Sequence, residues 1–231
     1  MQYRAEIDGL RALAVIPVVL FHAGIAGFDG GFVGVYIFFV ISGYLITSII
    51  LSEQQKERFT LAGFYERRAR RILPALMLVV LLSTVAAWYL LLPTELVDYG
   101  KSLASVGVFA SNILFWTQSD YFAQTSELIP LLHTWSLAVE EQFYLFFPLA
   151  LLIAVRIFPR YIGYVLFLVG AISLWISQWW INSYSVAVFF LLPFRAWEFI
   201  AGAMLVFAAP PKANPVKLNV IGALGLLGIL I

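Results

Sequence analysis

The stretch LRALAVIPVVLFHAGIAGF, residues 10–28, is apolar enough for a membrane span, yet it contains Arg11 and His22. These two residues are eleven positions apart, and about 100° of rotation per residue brings them back to nearly the same face of a helix. Along the helix axis they would lie about 16 Å apart. Ionisable residues within spans usually face the bundle interior or a water-filled path. The stretch therefore predicts a membrane protein with an internal polar site, not a simple anchor.

The composition of the chain agrees with this class and argues against others. The chain is 62% hydrophobic and 12% charged, whereas soluble domains are about 45–50% apolar and about 25% charged. A net charge of +1 gives no reason to expect a nucleic acid partner. The sequence has no cysteine and only two histidines, so it predicts no disulfide, no cysteine nucleophile and no metal site.

Apolar runs of about 20 residues predict the membrane-spanning helices. We expect an all-α, polytopic transmembrane helical bundle that forms one domain over residues 1–231. The final apolar run has no downstream flank, so we expect the domain to be truncated at residue 231. The predicted spans lie near residues 10–26, 33–52, 73–92, 137–157, 161–181, 186–208 and 218–231.

Lysine and arginine positions predict the orientation of the bundle. The stretch 93–134 is expected to be an extracytoplasmic loop with partly buried short helices. With that assignment the lysines and arginines outside the spans lie on one side of the membrane, except Lys101, which lies on the other side. Cytoplasmic loops carry the excess of Lys and Arg. The N-terminus is therefore predicted to be cytoplasmic.

The segment FYERRARRILPA, residues 64–75, brings Arg67, Arg68, Arg70 and Arg71 to the cytoplasmic mouth between two predicted spans. Arginine keeps its charge at any relevant pH and binds phosphate oxygens with a planar fork. The cluster is therefore a candidate phosphate site. Ordinary positive-inside anchoring of the next helix is the alternative.

Three further strings carry polar residues inside predicted spans. In GGFVGVYIFFVISGYLI, residues 30–46, small residues allow close helix packing and Ser42 could bond across an interface. In HTWSLAVEEQFY, residues 133–144, His133 and Glu140 share a helix face, while Glu141 points about 100° away. At least one of these carboxylates is expected to face the interior, either for chemistry or to pair with an arginine. In PFRAWEFIAG, residues 193–202, an i,i+3 spacing predicts that the following residues pair within a span: Arg195 and Glu198.

Taken together, five strings resemble the membrane acyltransferase 3 family, the bacterial integral membrane enzymes that O-acylate surface polysaccharides and related glycans. The resemblance covers essentially the whole chain. It rests, in order, on EIDGLRALAVIPVVLFHA, GGFVGVYIFFVISGYLI, RRARRILPA, HTWSLAVEEQFYLFFP and PFRAWEFIAGAML. In the first string Arg11 and His22 have the Arg-x10-His spacing of the family.

The resemblance implies a cytoplasmic acyl-CoA donor, most often acetyl-CoA, and no metal. It implies transfer of the acyl group across the bacterial inner membrane to a hydroxyl of an extracytoplasmic glycan, such as lipopolysaccharide O-antigen, peptidoglycan or exopolysaccharide. A complete module would have about ten spans in the membrane lipid, and some relatives carry an SGNH domain after them.

The resemblance also implies roles for particular residues. His22 matches the essential histidine, as general base on the acceptor hydroxyl or as a transient acyl carrier. Arg11 would meet a phosphate or the thioester end of the donor. Glu141 is assigned the acidic position of the fourth string, supporting His22 or an arginine, and Glu140 is the alternative.

The arginine cluster is matched in the same way. Arg68 and Arg71 match the Arg-x-x-Arg pair of the family, a clamp for the CoA phosphates, and Arg67 and Arg70 offer the same spacing one residue earlier. The residues assigned supporting positions are Tyr36, Ser42, His133, Trp135, Glu140, Arg195 and Glu198. At Tyr36 the chain departs from the family, which commonly has Asp there, so acceptor preference could differ.

A transporter is the competing class. It would use Arg11, His22, Glu141 and Arg195 as a proton or substrate relay, since intramembrane charges are common in pumps. The arginine cluster distinguishes the two classes. A CoA-dependent enzyme needs a phosphate clamp at the cytoplasmic mouth, whereas a transporter needs only a polar lining.

Overall fold

The computed structural model describes residues 5–119 and 129–208, together with the isolated residues 222 and 225. Within this part the regular structure is helical and contains no strand, so the all-α prediction is confirmed. The predicted span 218–231 lies outside the described residues except for those two positions. The helices are α1 Ala5–His22, α2 Gly34–Gln55, α3 Leu61–Leu90, α4 Pro93–Gly107, α5 Ser111–Ser119, α6 Thr134–Ile157, α7 Ile162–Trp180, α8 Ser185–Phe190 and α9 Leu192–Ala208.

Five helical segments of the described residues are long and apolar enough to cross a membrane, which confirms a multi-pass membrane protein. They correspond to the predicted spans near 33–52, 73–92, 137–157, 161–181 and 186–208. Helix α3 begins about three turns before the predicted span and carries the arginine cluster within it. The segments are Gly31–Gln55, Leu61–Leu90, Thr134–Ile157, Ile162–Trp180 and Ser185–Phe207.

The first predicted span, near 10–26, is a helix with different bounds. Helix α1 ends at His22, because Gly24 and Gly27 follow it with φ values of +67° and +89°, a conformation that favours glycine. Its first turn carries Glu6 and Asp8, and Arg11 follows. With these three charges α1 is not among the helices that are long and apolar enough to cross a membrane. His22 therefore lies at the end of a helix and not inside a longer span.

Helices α2 and α9 form the centre of the described bundle, because glycines allow them to approach closely. A Cβ atom on Gly43 would overlap the backbone carbonyl of Phe199, and one on Gly202 would overlap the carbonyl of Val40. Beside these glycines the ring of Phe199 stacks on Phe39 and on Phe143 of α6, with centroids 4.4 Å and 4.3 Å apart. The polar residues of the site are arranged around this aromatic core.

The predicted loop 93–134 contains a helical hairpin formed by α4 and α5. At about 1.5 Å per residue, α4 is about 22 Å long, shorter than the hydrocarbon core of about 30 Å. The side-chain amides of Asn112 and Gln142 bond to each other over 2.8 Å and 3.3 Å. Gln142 also donates to the Phe109 carbonyl at the hairpin tip, over 3.0 Å. These bonds hold the tip against α6, and the short-helix prediction for this stretch is confirmed.

The last span is broken between α8 and α9. Leu191 is extended there and Pro193 follows in the first turn of α9, and a proline cannot continue a helix that precedes it. The freed carbonyls are satisfied by side chains: Arg195 donates to Phe189 over 3.1 Å and Asn112 donates to Phe190 over 3.0 Å. Non-helical backbone at membrane depth is tolerated where protein satisfies it in this way.

Candidate active site

A pair of histidines lies at one end of the bundle. The rings of His22, the last residue of α1, and His133, which precedes α6, have centroids 4.4 Å apart. Nδ1 of His22 lies 2.7 Å from the Val18 carbonyl. Because a carbonyl only accepts, Nδ1 is the donor of this bond, and in the neutral ring the lone pair is then on Nε2. A neutral His22 held in this way has the tautomer that a general base or an acyl carrier requires.

His133 responds to the same environment. Desolvation of its ring lowers the pKa of His133, and the nearby charge of His22 lowers it further. The two imidazoles therefore oppose joint protonation. Sequence analysis placed His133 only among the supporting residues, and its pairing with His22 was not predicted.

His22 lines a cavity of about 1200 Å³ between the helix ends. The cavity is walled by aromatic residues from several helices, including Phe21, Tyr36 and Trp135, and its polar groups include Asp98 and Lys101. Small-molecule sites usually measure about 300–1,000 Å³. This cavity is therefore large enough for a substrate of several rings.

Arg195 lines the same cavity and is held by ion pairing and by aromatic rings. Its Nη2 lies 3.2 Å from the Glu198 carboxylate, and both side chains are 3% exposed, so the predicted pair is confirmed. The guanidinium lies 4.4 Å from the ring centre of Tyr36 and 5.1 Å from that of Trp135, within the range of cation–π attraction. Tyr36 thus contacts Arg195 through its ring and not through a charge.

A second polar cluster lies between α2, α3 and α6. The hydroxyls of Ser42 and Tyr144 both donate to Oε1 of Glu140. The guanidinium of Arg68 lies 4.2 Å from the ring centre of the buried Tyr144. A carboxylate with two hydroxyl donors and an adjacent arginine can hold its charge away from water. Tyr144 was missed by sequence analysis, although its i,i+4 spacing from Glu140 is a signal that they share a helix face.

Arg11 and the Arg68–Arg71 pair converge on this cluster. The charges of Arg11 and Arg68 both interact with that of Arg71, and Glu140 also acts on Arg71. Arg11 has a long contact of 3.7 Å to Asp8, and its buried Nε has no hydrogen-bond partner among the described residues. The three arginines are therefore near enough for their charges to interact, and the buried N–H of Arg11 lacks a partner among the described residues, an arrangement that suits an anion.

Arg67 and Arg70, which have the same Arg-x-x-Arg spacing, are placed differently. Arg67 pairs with Glu53 and Arg70 with Glu66, each over 2.7 Å. Their side chains are 55% and 78% exposed. Both are thus satisfied on the surface, and the structure separates them from Arg68 and Arg71.

The two neighbouring carboxylates also differ. Glu140 has the hydroxyl contacts, whereas Oε1 of Glu141 is buried with no hydrogen-bond partner among the described residues. The charge of Glu141 interacts with that of Arg68. We therefore give Glu140 the central position and treat Glu141 as a neighbour of Arg68.

Membrane-length helices around the buried Arg195–Glu198 pair and the cluster of Glu140 define a polytopic membrane protein with an internal polar site. The family model for the acyltransferase domain matches residues 4–231, and the chain belongs to this acyltransferase family. The resemblance predicted from the sequence is thereby confirmed.

Two relatives named O-acetyltransferases agree with this family. The chain is 38% identical over 236 residues to an O-acetyltransferase OatA of Staphylococcus aureus (strain NCTC 8325 / PS 47), covering 99% of the chain and 39% of that protein. It is also 38% identical over 243 residues to a putative O-acetyltransferase, SAS0844, of Staphylococcus aureus (strain MSSA476), covering all of the chain and 40% of that protein. The chain thus spans about two fifths of the length of these relatives. No solved structure matches it.

Proposed function

We propose that the chain is the membrane part of an O-acetyltransferase that takes an acyl group from acyl-CoA and delivers it to a hydroxyl of an extracytoplasmic glycan. The observation that carries the proposal is the position of Arg68 against Tyr144, the hydrogen-bond donor to Glu140, with the charges of Arg11 and Arg71 nearby, while His22 lines a large cavity. Names of the relatives support the acetyl group and the oxygen acceptor.

The arginine side of the site suits the donor. Arg68 and Arg71 would bind the phosphates of CoA, since guanidinium groups bind phosphate oxygens bidentately. Arg11 would meet the donor nearer its thioester end. An acyl-CoA at this mouth requires that the N-terminus of the chain is cytoplasmic, as the lysine and arginine distribution predicts.

The histidine side suits the acceptor. A cavity of about 1200 Å³ with aromatic walls and a few charged groups fits a polar ligand whose rings stack on aromatic faces, such as a glycan. Nε2 of His22 would accept the proton of the attacking hydroxyl. A C–O bond then forms to the acyl carbon, the C–S bond of the thioester breaks, and CoA thiolate leaves and takes up the proton.

His22 as a transient acyl carrier is the other route. Nε2 would attack the thioester first, releasing CoA, and the acceptor oxygen would then take the acyl group from the imidazole. Single-turnover labelling with radioactive acetyl-CoA in the absence of acceptor separates the two routes. Label retained on the protein and lost in His22→Gln supports the carrier, and label that stays on CoA supports the base.

The test of the donor uses the full chain in lipid nanodiscs, titrated with acetyl-CoA by calorimetry. We expect Arg68→Gln with Arg71→Gln to weaken binding by about tenfold or more, since each lost charged hydrogen bond is worth about 1.5–3 kcal/mol. The matched control is Arg67→Gln with Arg70→Gln, which removes the same charge from the same helix. Equal effects of the two double variants would contradict the clamp. No binding by the folded wild-type protein would favour a transporter relay or a different donor.

A further inference from the structure

A second, smaller cavity lies beside the arginine cluster, between α3 and α6. Its volume is about 260 Å³, and the tip of the α4–α5 hairpin forms one wall. We call it the α3–α6 recess. Its apolar lining comes mainly from Ala69, Ile72, Leu73, Val108, Phe109 and Leu145.

Hydrogen bonds hold the walls of the recess on two sides. Phe109 at the hairpin tip has a φ of +53°, a strained conformation for a bulky residue, and its carbonyl accepts from Gln142. On the other side, the hydroxyl of Tyr65 on α3 donates to the Leu145 carbonyl on α6 over 2.8 Å. These bonds hold the walls of the recess in place, and the recess is open on the side of Leu73, Val108 and Leu145, which are exposed.

The polar groups of the recess lie next to the proposed donor site. Arg68 and Glu141 line it together with Tyr144, so its polar side adjoins the cluster formed with Ser42 and Glu140. The buried Oε1 of Glu141 has no hydrogen-bond partner among the described residues. A buried carboxylate oxygen needs a donor, and the amide N–H groups of a pantetheine arm are donors of that kind.

The volume of the recess limits the length of the acyl group that it can hold. An apolar cavity of about 150 Å³ holds a benzene molecule, so 260 Å³ leaves room for more than six carbon atoms. An acetyl group has two and would leave most of the recess unfilled. The recess thus has space for an unbranched acyl chain of about four to six carbons.

We infer that the α3–α6 recess is the acyl-binding site for the donor and that it admits acyl chains longer than acetyl. This inference rests on the proposed function, in which the donor is an acyl thioester bound by Arg68. Ala69 leaves space on the α3 side, and Phe109 closes the hairpin end. A phospholipid chain entering from the membrane is the competing occupant, since Leu73 and Leu145 are partly exposed beside the opening.

The test measures the affinity of the full chain in nanodiscs for acetyl-, butyryl- and hexanoyl-CoA, with CoA itself as reference. Each methylene buried in an apolar site strengthens binding by up to about fourfold. We therefore expect affinity to rise from acetyl- to hexanoyl-CoA in the wild-type chain. Ala69→Phe should abolish this rise, because the ring would fill the recess. Ala86→Phe is the matched control, because Ala86 is exposed on the same helix and lines neither cavity.

A second variant covers the case in which Ala69→Phe does not fold. Leu73→Ala enlarges the recess and should move the optimum toward longer chains. Affinity that is independent of chain length in the wild type, or equal effects of Ala69→Phe and Ala86→Phe, would overturn the inference and leave the proposed function standing. If Ala69→Phe loses a co-purifying phospholipid while its acyl-CoA selectivity is unchanged, the inference is wrong and the recess binds a phospholipid chain. Failure of every acyl-CoA and of CoA to bind the folded wild type would overturn both proposals.

Discussion

The imidazole rings of His22 and His133 lie with their centroids 4.4 Å apart, although the two residues belong to the first and sixth helical regions of the chain. The bond from Nδ1 of His22 to the Val18 carbonyl fixes the tautomer of His22, and the ring borders the large cavity. His133 lies immediately before α6, the helix that also carries Glu140. The pair therefore lies between the large cavity, which His22 lines, and the N-terminal end of α6, the helix that carries Glu140 of the second polar cluster.

Replacing His22 should abolish acyl transfer without unfolding the protein. General base catalysis contributes about 10²–10⁴ to the rate, so His22→Gln should lower kcat by at least about 100-fold. His22 is exposed at a helix end, so the thermal unfolding midpoint should stay close to that of the wild type. Transfer from acetyl-CoA is measured in nanodiscs. Activity within about twofold of the wild type would remove His22 from the mechanism.

The titration of His133 should depend on His22. The folded-state pKa of His133 is lowered, first by desolvation and then by His22, so the fold favours the neutral ring. This contribution to stability is complete above the ordinary histidine pKa of about 6.5 and is lost as the pH falls through the lowered value. In His22→Gln the pKa of His133 should move back up part of the way, because desolvation remains.

Nuclear magnetic resonance of ¹⁵N-labelled imidazoles measures this shift directly. The chain has two histidines, so His133 is the only one left in His22→Gln and its signal needs no further assignment. An unchanged or still lower pKa would mean that the two rings do not interact electrostatically.

The α2–α9 contact should not tolerate a methyl group at its glycines. In Gly43→Ala and Gly202→Ala the new Cβ atom meets a backbone carbonyl of the other helix. Overpacking of this kind costs about 1–3 kcal/mol, and a rigid backbone cannot relax as a side chain can. Gly100→Ala on α4 is the control, because nothing lies within 4 Å of its added Cβ. There we expect no loss, or a gain of about 0.5–1 kcal/mol.

Unfolding by SDS in mixed micelles measures these differences in free energy. If Gly43→Ala and Gly202→Ala are as stable as Gly100→Ala, the helices are not as close as the structure has them.

The amide pair of Asn112 and Gln142 should hold the hairpin tip in place. Gln142→Ala removes the hydrogen bonds that Gln142 donates to the Phe109 carbonyl and to the Asn112 side chain. The loss should lower the free energy of unfolding by about 1–3 kcal/mol. Gln178→Ala on α7 is the control, since Gln178 is exposed. A double-mutant cycle with Asn112→Ala should give a coupling of about 0.6 kcal/mol, the average for hydrogen bonds between membrane helices, and at most about 1.7 kcal/mol.

Limited proteolysis measures the same effect as a rate of cleavage in the α4–α5 hairpin. Gln142→Ala should make cleavage in α4 and α5 faster. Additive effects of Asn112→Ala and Gln142→Ala, with unchanged cleavage, would show that the amide pair does not hold the tip.

Local patterns were sufficient for much of the site. The i,i+3 spacing of Arg195 and Glu198 predicts a pair because both residues lie on one helix, and the structure has that pair. The choice between Arg68–Arg71 and Arg67–Arg70 could not be made in this way. Both pairs have the same spacing, and only the positions of Glu53, Glu66 and the other helices distinguish them.

The sequence by itself determined the class of fold, most of the spans, the short helices in the loop and the family. These depend on apolar run length, on local spacing and on strings that can be compared directly, so they need no knowledge of which helices meet. The tertiary structure alone decided the pairing of His22 with His133, the contact of Glu140 with Ser42, and the position of the recess under the hairpin. Each of these joins residues that are distant in the chain, and helix periodicity fixes the direction of a side chain but not the helix that it faces.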